Sequence, residues 1–160
     1  MKRILLVLIT LALLISLAAC KKDSYRDDLP VNALSGTVIV SLGDTDYSTA
    51  DEGFLDDYFQ TPDYVKEKIV CFATEGNNLN EVGIYRVTDE NAGQMKDVLE
   101  KYLSDSYAKN QSWYDSYIPE ETPKLRDAEV KVFGNYVVYA ILSQEGRNTL
   151  FSTVEEMLAK

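Results

Sequence analysis

The chain contains no histidine, so any chemistry it carries must use carboxylates, hydroxyls, aromatic rings or its two cysteines. The missing imidazole excludes histidine-based serine or cysteine triads, histidine-ligated zinc and the commonest general base. Carboxylates are abundant, with 26 acidic against 16 basic residues. We therefore expect no catalytic activity and no cofactor, and an enzyme that works with carboxylates alone stays open as an alternative.

The acidic run that starts at Asp44 has the spacing of the first oxygen ligands of a calcium loop. Asp44, Asp46 and Glu52 are its candidate metal ligands. The rest departs from the pattern, because Thr49 stands where the sharp turn needs glycine and Leu55 stands where the bidentate glutamate belongs. The run therefore predicts a solvated acidic loop, with calcium binding as the weaker alternative.

A second candidate site is the segment from residue 113 to residue 121, which concentrates aromatic rings and acids. An exposed aromatic platform flanked by carboxylates is suited to stack on a sugar or to hold a peptide. The structural alternative is that the rings pack the end of a helix onto the sheet, as large aromatics in small domains usually do. The candidate binding residues are Trp113, Tyr114, Tyr117, Glu120 and Glu121.

The two cysteines have different surroundings. Cys20 ends the run Leu17-Ala18-Ala19-Cys20, which resembles the lipobox of bacterial lipoproteins, where the thiol receives a diacylglyceryl group. Cys71 lies in an apolar run and is expected to be a buried, unreactive thiol, because no histidine can activate it. With Cys20 acylated, no intrachain disulfide is expected.

Residues 1–19 have the three zones of a secretory signal peptide: a basic start at Lys2 and Arg3, an apolar run, and small residues before Cys20. The apolar stretch ends at Lys21 and is shorter than the roughly 20 residues that cross a bilayer. We therefore expect Cys20 to be the lipidated first residue of the mature lipoprotein. Two acyl chains, palmitate among them, would anchor it stably in the cell membrane.

Behind the signal peptide, we predict a lipidated cysteine with a tether over residues 20–30 and a single domain over residues 31–160. About 130 residues are enough for one hydrophobic core. With Lys2 and Arg3 removed, 14 basic residues face 26 acidic residues, and the formal net charge moves from −10 to −12. Such a surface is repelled by nucleic acid and anionic lipid, so the lipid anchor is the expected membrane contact.

Apolar periodicity predicts two hairpins and two helices in alternation. The predicted strands are 65–73, 81–87, 128–133 and 136–142. The second hairpin turns at Gly134-Asn135, a pair that favours positive φ. A long amphipathic helix capped by Asp89 separates the hairpins, and a last helix ends the chain. The order hairpin-helix-hairpin-helix predicts an α+β domain with one antiparallel sheet and helices packed on a face of it.

Two segments ahead of the first hairpin are harder to interpret. Residues 31–42 are ambiguous, because apolar residues at helical spacing overlap the β-branched run 37–40. Thr49 and Glu52 have the spacing of a capping box, and the apolar residues that follow predict a short helix ahead of Pro62.

A set of local motifs points to a family. They are the lipobox, the run from Glu81 to Val87, the amphipathic helix after it, the element from Tyr117 to Glu121, and the hairpin segment from Gly134 to Val138. Together they resemble an uncharacterised lipoprotein family of clostridia-type Gram-positive bacteria, domain of unknown function 4358, over roughly residues 50–155. The resemblance implies the outer leaflet of a Gram-positive plasma membrane, facing the extracytoplasmic side, and supplies no activity, ligand or catalytic residue.

The expected function is therefore a non-catalytic binding or adapter role in the cell envelope, exerted by a lipid-anchored extracytoplasmic domain on an envelope protein or cell-wall partner. One alternative is a small-ligand or calcium-binding lipoprotein. A further alternative is a carboxylate-only enzyme acting on cell-wall material, which would need two facing acids about 5–10 Å apart.

Overall fold

The structure, a computed structural model, describes residues 25–43 and 46–160. Within these ranges the chain forms one antiparallel sheet of five strands, which confirms the α+β class and both predicted hairpins. In chain order the elements are α1 Val31–Ser41, β1 Tyr47–Thr49, β2 Val65–Ala73, β3 Glu81–Val87, α2 Ala92–Tyr117, α3 Thr122–Arg126, β4 Glu129–Phe133, β5 Tyr136–Ile141 and α4 Gln144–Leu158.

The strand order across the sheet is β1-β2-β3-β5-β4, with every neighbouring pair antiparallel. Strands β3 and β5 occupy the interior of the sheet and are buried along almost their whole length. The second hairpin turns at Gly134, whose φ of 62° is a left-handed conformation that glycine adopts without steric cost.

One face of the sheet, called here the closed face, is covered by α1 and α4. Five side chains of β3 and β5 that point to it are almost fully buried and, apart from the Tyr136 hydroxyl, apolar: Val82, Ile84, Tyr136, Val138 and Ala140. Arg86 of β3, which is paired with Tyr136 in the register, also lies on this face and forms an ion pair with Glu67. The predicted last helix is confirmed as α4. It begins after Ser143, whose hydroxyl accepts a hydrogen bond from the Gly146 N–H at 3.2 Å.

The opposite face, called the pocket face, is covered by α2 and by the turn segment 52–58. As predicted, α2 is the longest helix of the described chain, with a buried stripe that includes Met95, Leu99 and Tyr102. Its N-cap is Asn91 and not the predicted Asp89. Helices thus lie on both faces and not on one, because β3 and β5 present buried side chains to both.

Two local expectations are resolved by tertiary contacts. The ambiguous segment 31–42 contains helix α1, whose Leu34 and Val38 are fully buried in the core of the closed face. The prediction of a short helix after Thr49 is wrong. Thr49 instead ends β1 opposite Cys71, and the following residues form successive turns such as Tyr58 N to Leu55 O at 2.9 Å.

Residues 25–30, which we assigned to the tether, lie against the domain. The Tyr25 ring packs edge-on to Phe133 at 5.7 Å, and the Arg26 N–H donates to the Leu158 carbonyl at 2.8 Å. The hydroxyl of Tyr136 also donates to the Leu29 carbonyl at 2.6 Å. The folded unit therefore includes the chain from Tyr25 onward, and the leader and Cys20 lie outside the described residues.

Candidate functional site

A pocket of about 350 Å³ opens on the pocket face, between α2, the turn segment 52–58 and the loop that precedes β3. This volume falls in the range of small-molecule sites, about 300–1,000 Å³. Aromatic rings form much of its lining, and it contains one carboxylate. The residues that matter below are Phe54, Tyr58, Phe72, Glu81, Tyr102 and Tyr114.

Glu81 brings three elements of the fold together. It is the first residue of β3, and only 9% of it is exposed. The hydroxyls of Tyr102 on α2 and Tyr139 on β5 both donate to its Oε1, at 2.8 and 2.5 Å. Among the described residues, no lysine or arginine forms an ion pair with Glu81.

Burial determines the protonation of this cluster. Desolvation raises the pKa of the Glu81 carboxyl above its ordinary value, while the two hydroxyl donors pull it back in part. Desolvation and the nearby carboxylate also raise the pKa of Tyr85, Tyr102 and Tyr139. The tyrosines therefore remain protonated donors, and the Glu81 carboxyl is the group of the cluster whose charge changes at a pH above its ordinary range.

Gly83 makes the contact between Tyr139 and Glu81 possible. Gly83 and Tyr139 are directly paired in the register of β3 and β5. A Cβ at position 83 would lie 1.9 Å from Cε1 of Tyr139, so the ring occupies the space above the glycine. The Tyr139 hydroxyl thereby reaches Glu81, two residues along β3.

Paired aromatic rings build the pocket wall. Tyr58 meets Tyr102 edge-on with centroids 5.0 Å apart, and Phe54 stacks on Phe72 at 5.1 Å with an angle of 5° between the rings. On Tyr58, the ammonium group of Lys109 lies 5.3 Å from the ring centroid. The wall thus already holds one cation on one of its rings.

The aromatic residues predicted as a binding patch lie at the end of α2, beside this pocket. Trp113 and Tyr117 are 53% and 69% exposed and stack on each other with centroids 5.1 Å apart. Tyr114, between them in sequence, is half-buried, lines the pocket and contacts Trp113 edge-on at 5.4 Å. Tyr114 therefore packs against the fold, as the structural alternative predicted, whereas Trp113 and Tyr117 are exposed.

The two acids of the predicted patch also differ from each other in their contacts. Oε2 of Glu121 accepts hydrogen bonds from the Leu79 N–H at 2.9 Å and from Lys124 Nζ at 2.7 Å. Leu79 lines the pocket, so Glu121 holds the loop at the pocket rim. Glu120 is exposed. The structure thus brings Tyr114 and Glu121 to the pocket or its rim, near Glu81, which the sequence pattern did not single out, while Trp113 contacts the pocket-lining ring of Tyr114.

Comparison with known families gives one match. The model of a family described as "Domain of unknown function (DUF4358)" matches residues 41–142. The chain belongs to this family. All five strands of the described sheet, α2 and α3 lie inside the DUF4358 region, whereas α4 and all of α1 except Ser41 lie outside it. The DUF4358 region therefore contains every pocket and rim residue named above.

Other comparisons add little to this assignment. No curated protein and no solved structure matches the chain. None of the helices in the described part of the chain is both long and apolar enough to cross a membrane.

The candidate calcium run is only partly described. Asp44 lies outside the described residues, while Asp46 and Glu52 are exposed. Two contacts of this run use main-chain carbonyls: Asp46 O accepts from Thr74 N at 2.8 Å, and Glu52 O accepts from Lys68 Nζ at 3.0 Å. Over residues 25–43 and 46–160, no three acidic or cysteine side chains are grouped to hold a metal ion.

Cys71 is buried, as predicted, with 6% of the residue exposed. Burial raises the pKa of its thiol, and a hydrogen bond with Thr49 opposes part of that increase. Its position in the core of the sheet agrees with an unreactive thiol.

Sequence reasoning did not identify Glu81 as a site residue. Its two hydroxyl partners lie 21 and 58 residues away in the chain, so no local spacing joins them. One signal was available: Glu81 opens an otherwise apolar strand and is followed two residues later by Gly83. An acid and a glycine on one face of an apolar strand indicate a buried polar group with a ring packed against the backbone.

Proposed function

We propose that the protein is a lipid-anchored extracytoplasmic domain that binds a ligand in the cell envelope without catalysing a reaction. The observation that carries this proposal is the aromatic pocket with the buried Glu81 carboxyl. A concave site lined mainly by aromatic and aliphatic side chains, with a few convergent polar groups and a perturbed pKa, is the usual form of a small-molecule site. Of the functions considered, ligand binding in this pocket has the most direct support.

The arrangement of the acids favours binding over carboxylate catalysis. A glycosidase needs two carboxylates that face one bond, about 5–10 Å apart. Among the residues that the structure describes, Glu81 is the only acidic side chain that lines this pocket. Glu121, at the rim, is already bound by Lys124 and the Leu79 N–H. The pocket therefore offers one buried acceptor with oriented hydroxyls, which is suited to recognition.

The anchoring part of the proposal is supported by the sequence. The signal peptide over residues 1–19 and the lipobox at Cys20 support export and lipidation, and the family motifs support the outer leaflet of a Gram-positive plasma membrane. Five residues of extended chain span at most about 18 Å, so Tyr25 would lie within that distance of the anchor. The domain would then be held near the membrane surface.

Ligand binding is tested by thermal denaturation of the purified full chain with sugars, muropeptides, amino acids and divalent ions. A ligand at a hundred times its Kd stabilises by about 2.7 kcal/mol and should raise Tm by several degrees. Ser106 lines the pocket, so Ser106→Leu should abolish the shift, whereas Ser104→Leu on the exposed side of α2 should retain it. A shift that survives Ser106→Leu, or a flat response of the folded wild type, would contradict binding in this pocket.

Anchoring is tested by metabolic labelling of cells with radioactive palmitate. Wild type should carry the label, and Cys20→Ala should lose it, because that variant lacks the thiol that is acylated. Cys71→Ala is the matched control, because Cys71 is buried and should leave the label unchanged. Labelling of the Cys20→Ala chain, or an unlabelled wild type, would contradict the lipid anchor.

A second candidate role is contact with an envelope protein or cell-wall partner through Trp113 and Tyr117. Its support is their exposure, since stacked aromatic side chains on the surface are typical of binding sites. Trp113→Ala and Tyr117→Ala should leave Tm nearly unchanged and remove a specific crosslink to the partner. A large loss of Tm in either variant would show that the rings are structural.

A further inference from the structure

We infer that the pocket binds a small organic cation, whose positively charged nitrogen lies at the Glu81 carboxylate and against the rings of Tyr58 and Tyr102. The inference rests on the proposed function, because it takes the pocket as the ligand site. It adds the chemical class of the ligand: a protonated amine or a quaternary ammonium with an apolar body.

The Glu81 carboxyl has no counter-charge among the described basic side chains. Buried carboxylates in folded proteins are normally paired with a cation, because an isolated charge loses its hydration. Glu81 is more than nine-tenths buried, yet its described partners are two hydroxyls and no basic side chain. Over residues 25–43 and 46–160, the lining of the pocket contains no lysine or arginine. The positive charge that pairs with an ionised Glu81 would therefore come from a ligand.

The two hydroxyl donors bind the same oxygen of the Glu81 carboxyl. Tyr102 and Tyr139 both donate to Oε1, which fixes the carboxyl plane and stabilises negative charge on it. No hydrogen bond from a residue in the described ranges reaches Oε2. One oxygen is thus held by the protein, and the other is left for a ligand that donates a hydrogen bond or carries a charge.

The aromatic wall of the pocket is a second source of attraction for a cation. Cations are attracted to aromatic rings when they lie within about 6 Å of the ring centroid. The Lys109 ammonium already lies 5.3 Å from the centroid of Tyr58, a ring that lines the pocket. A ligand cation near Glu81 would have Tyr58 and Tyr102 as neighbours, because these two rings meet edge-on.

The charged groups around the pocket leave its interior acidic. Lys124 on α3 is paired with Glu121, and Lys109 on α2 contacts Tyr58. Neither lysine lines the pocket. An anionic ligand would meet Glu81 without a basic partner, whereas a cation would neutralise it.

Binding of a cation to this site has a defined proton balance. In the empty pocket, burial favours the protonated Glu81 carboxyl. When the ammonium group enters, the O–H bond of Glu81 breaks, the proton passes to solvent, and the carboxylate pairs with the bound cation. Up to about one proton should be released per cation bound when the pH lies between the two pKa values of Glu81, without and with the ligand.

The test is calorimetric titration of the purified full chain with pairs of isosteric probes. Choline is paired with its neutral carbon isostere, in which a tert-butyl group replaces the trimethylammonium, and butylammonium is paired with butanol. The first pair represents quaternary ammonium ligands and the second primary amines. The cation of at least one pair should bind roughly tenfold or more tightly than its neutral partner. Titration in two buffers of different ionisation enthalpy should detect the released proton.

Two variants assign the effect to the pocket. Glu81→Gln keeps the shape and an oxygen acceptor, and it should abolish both proton release and the preference for cations. Tyr58→Leu should weaken cation binding about fivefold or more, since it removes the aromatic face, whereas Tyr107→Leu, a half-buried residue of α2 outside this pocket, should not. If Glu81→Gln does not fold, comparison of Tyr58→Leu with Tyr107→Leu decides whether the cation binds in this pocket.

The outcomes separate this inference from the proposed function. If neutral isosteres or sugars bind in the pocket as tightly as the cations, the pocket is a ligand site and the cation inference is wrong. If cations bind equally well to wild type, Glu81→Gln and Tyr58→Leu, the inference is also wrong. If neither these probes nor the wider ligand panel bind, both the inference and the binding function fail.

Discussion

The two faces of one sheet differ in the chemistry of their buried side chains. Toward α1 and α4, strands β3 and β5 present mainly aliphatic groups such as Val82, Ile84 and Val138. Toward α2, the same strands present Glu81, Gly83 and Tyr139, with a carboxyl and a hydroxyl in contact. Successive side chains of a strand point to opposite faces of the sheet, and this alternation places a mainly apolar core on one face and a polar cluster at the base of a pocket on the other.

This difference supports the assignment of the proposed ligand site to the pocket face. An apolar core stabilises the fold without polar groups, and replacing a buried polar cluster by apolar residues of similar volume is often neutral or stabilising. A sheet of this kind could thus form without Glu81 and its tyrosines, although in this chain their hydrogen bonds join β3, β5 and α2. Their position on one face, inside the DUF4358 region, supports the proposed site there.

The largest expected difference concerns two buried leucines, one on each face. Leu150→Ala on α4 leaves a cavity in the closed core and should cost about 4 kcal/mol of unfolding free energy. Leu125→Ala on α3 enlarges a pocket that is already open to solvent and should cost about 2 kcal/mol. Urea denaturation measures both, and equal losses would show that the pocket face is packed as tightly as the closed face.

Gly83→Ala should destabilise the pocket face by about 3 kcal/mol, because the new Cβ would overlap the buried ring of Tyr139. The matched control is Gly36→Ala in α1, where a Cβ meets no atom within 4 Å. Since alanine is the better helix former, this control should gain up to about 1 kcal/mol. A tolerated Gly83→Ala would mean that Tyr139 does not lie over the glycine. Thermal denaturation monitored by circular dichroism distinguishes these results.

Two tyrosines of β5 provide a finer comparison. Tyr139→Phe removes one of two donors to Glu81 and should cost about 1–2 kcal/mol, with a cost that grows as pH rises and the carboxyl ionises. Tyr136→Phe removes a hydrogen bond to the Leu29 carbonyl on the closed face and should cost about 1 kcal/mol, independent of pH between about 5 and 8. Denaturation at several pH values measures both. A stability cost of Tyr139→Phe that does not change with pH would contradict the coupling between Tyr139 and Glu81.

The smallest effect is a contrast in pH dependence between two glutamates. Burial raises the pKa of Glu81, so the folded state holds its proton more tightly and stability falls as pH rises above about 4.5. The Val31 N–H and Arg86 lower the pKa of Glu67, so its contribution is lost as pH falls below about 4.5. Between pH 5 and 8, Glu81→Gln should become more stable relative to wild type with rising pH, and Glu67→Gln should not. The opposite trend for Glu81→Gln would show that its carboxyl is not buried.

Local sequence patterns predicted the elements whose structure depends on local signals. Strands β2 and β3 have the predicted bounds, and the second hairpin turns at Gly134 because that position needs positive φ. The stripe of α2 was readable at a 3.6-residue period. In each case the signal lies within one segment of the chain.

Features that depend on distant contacts could not be predicted. The β-branched run 37–40 becomes helical because Leu34 and Val38 are buried against the sheet, and Thr49 extends because it pairs with Cys71. The candidate site also depends partly on contacts between distant segments of the chain. The aromatic segment at the end of α2 was visible from composition, but Glu81 gains its role only when β5 and α2 bring their tyrosines to it.

The most direct test of the account is an NMR titration of the Glu81 side-chain carboxyl, assigned by the loss of its ¹³C resonance in Glu81→Gln. We predict a midpoint above the ordinary value of 4.5 in the free protein, because the carboxyl is buried without a cation. Addition of a cationic probe that binds should move the midpoint down, while its neutral isostere should not. A midpoint at or below 4.5 that no cationic probe changes would contradict the assignment of Glu81 as the charge-sensing group of a ligand pocket.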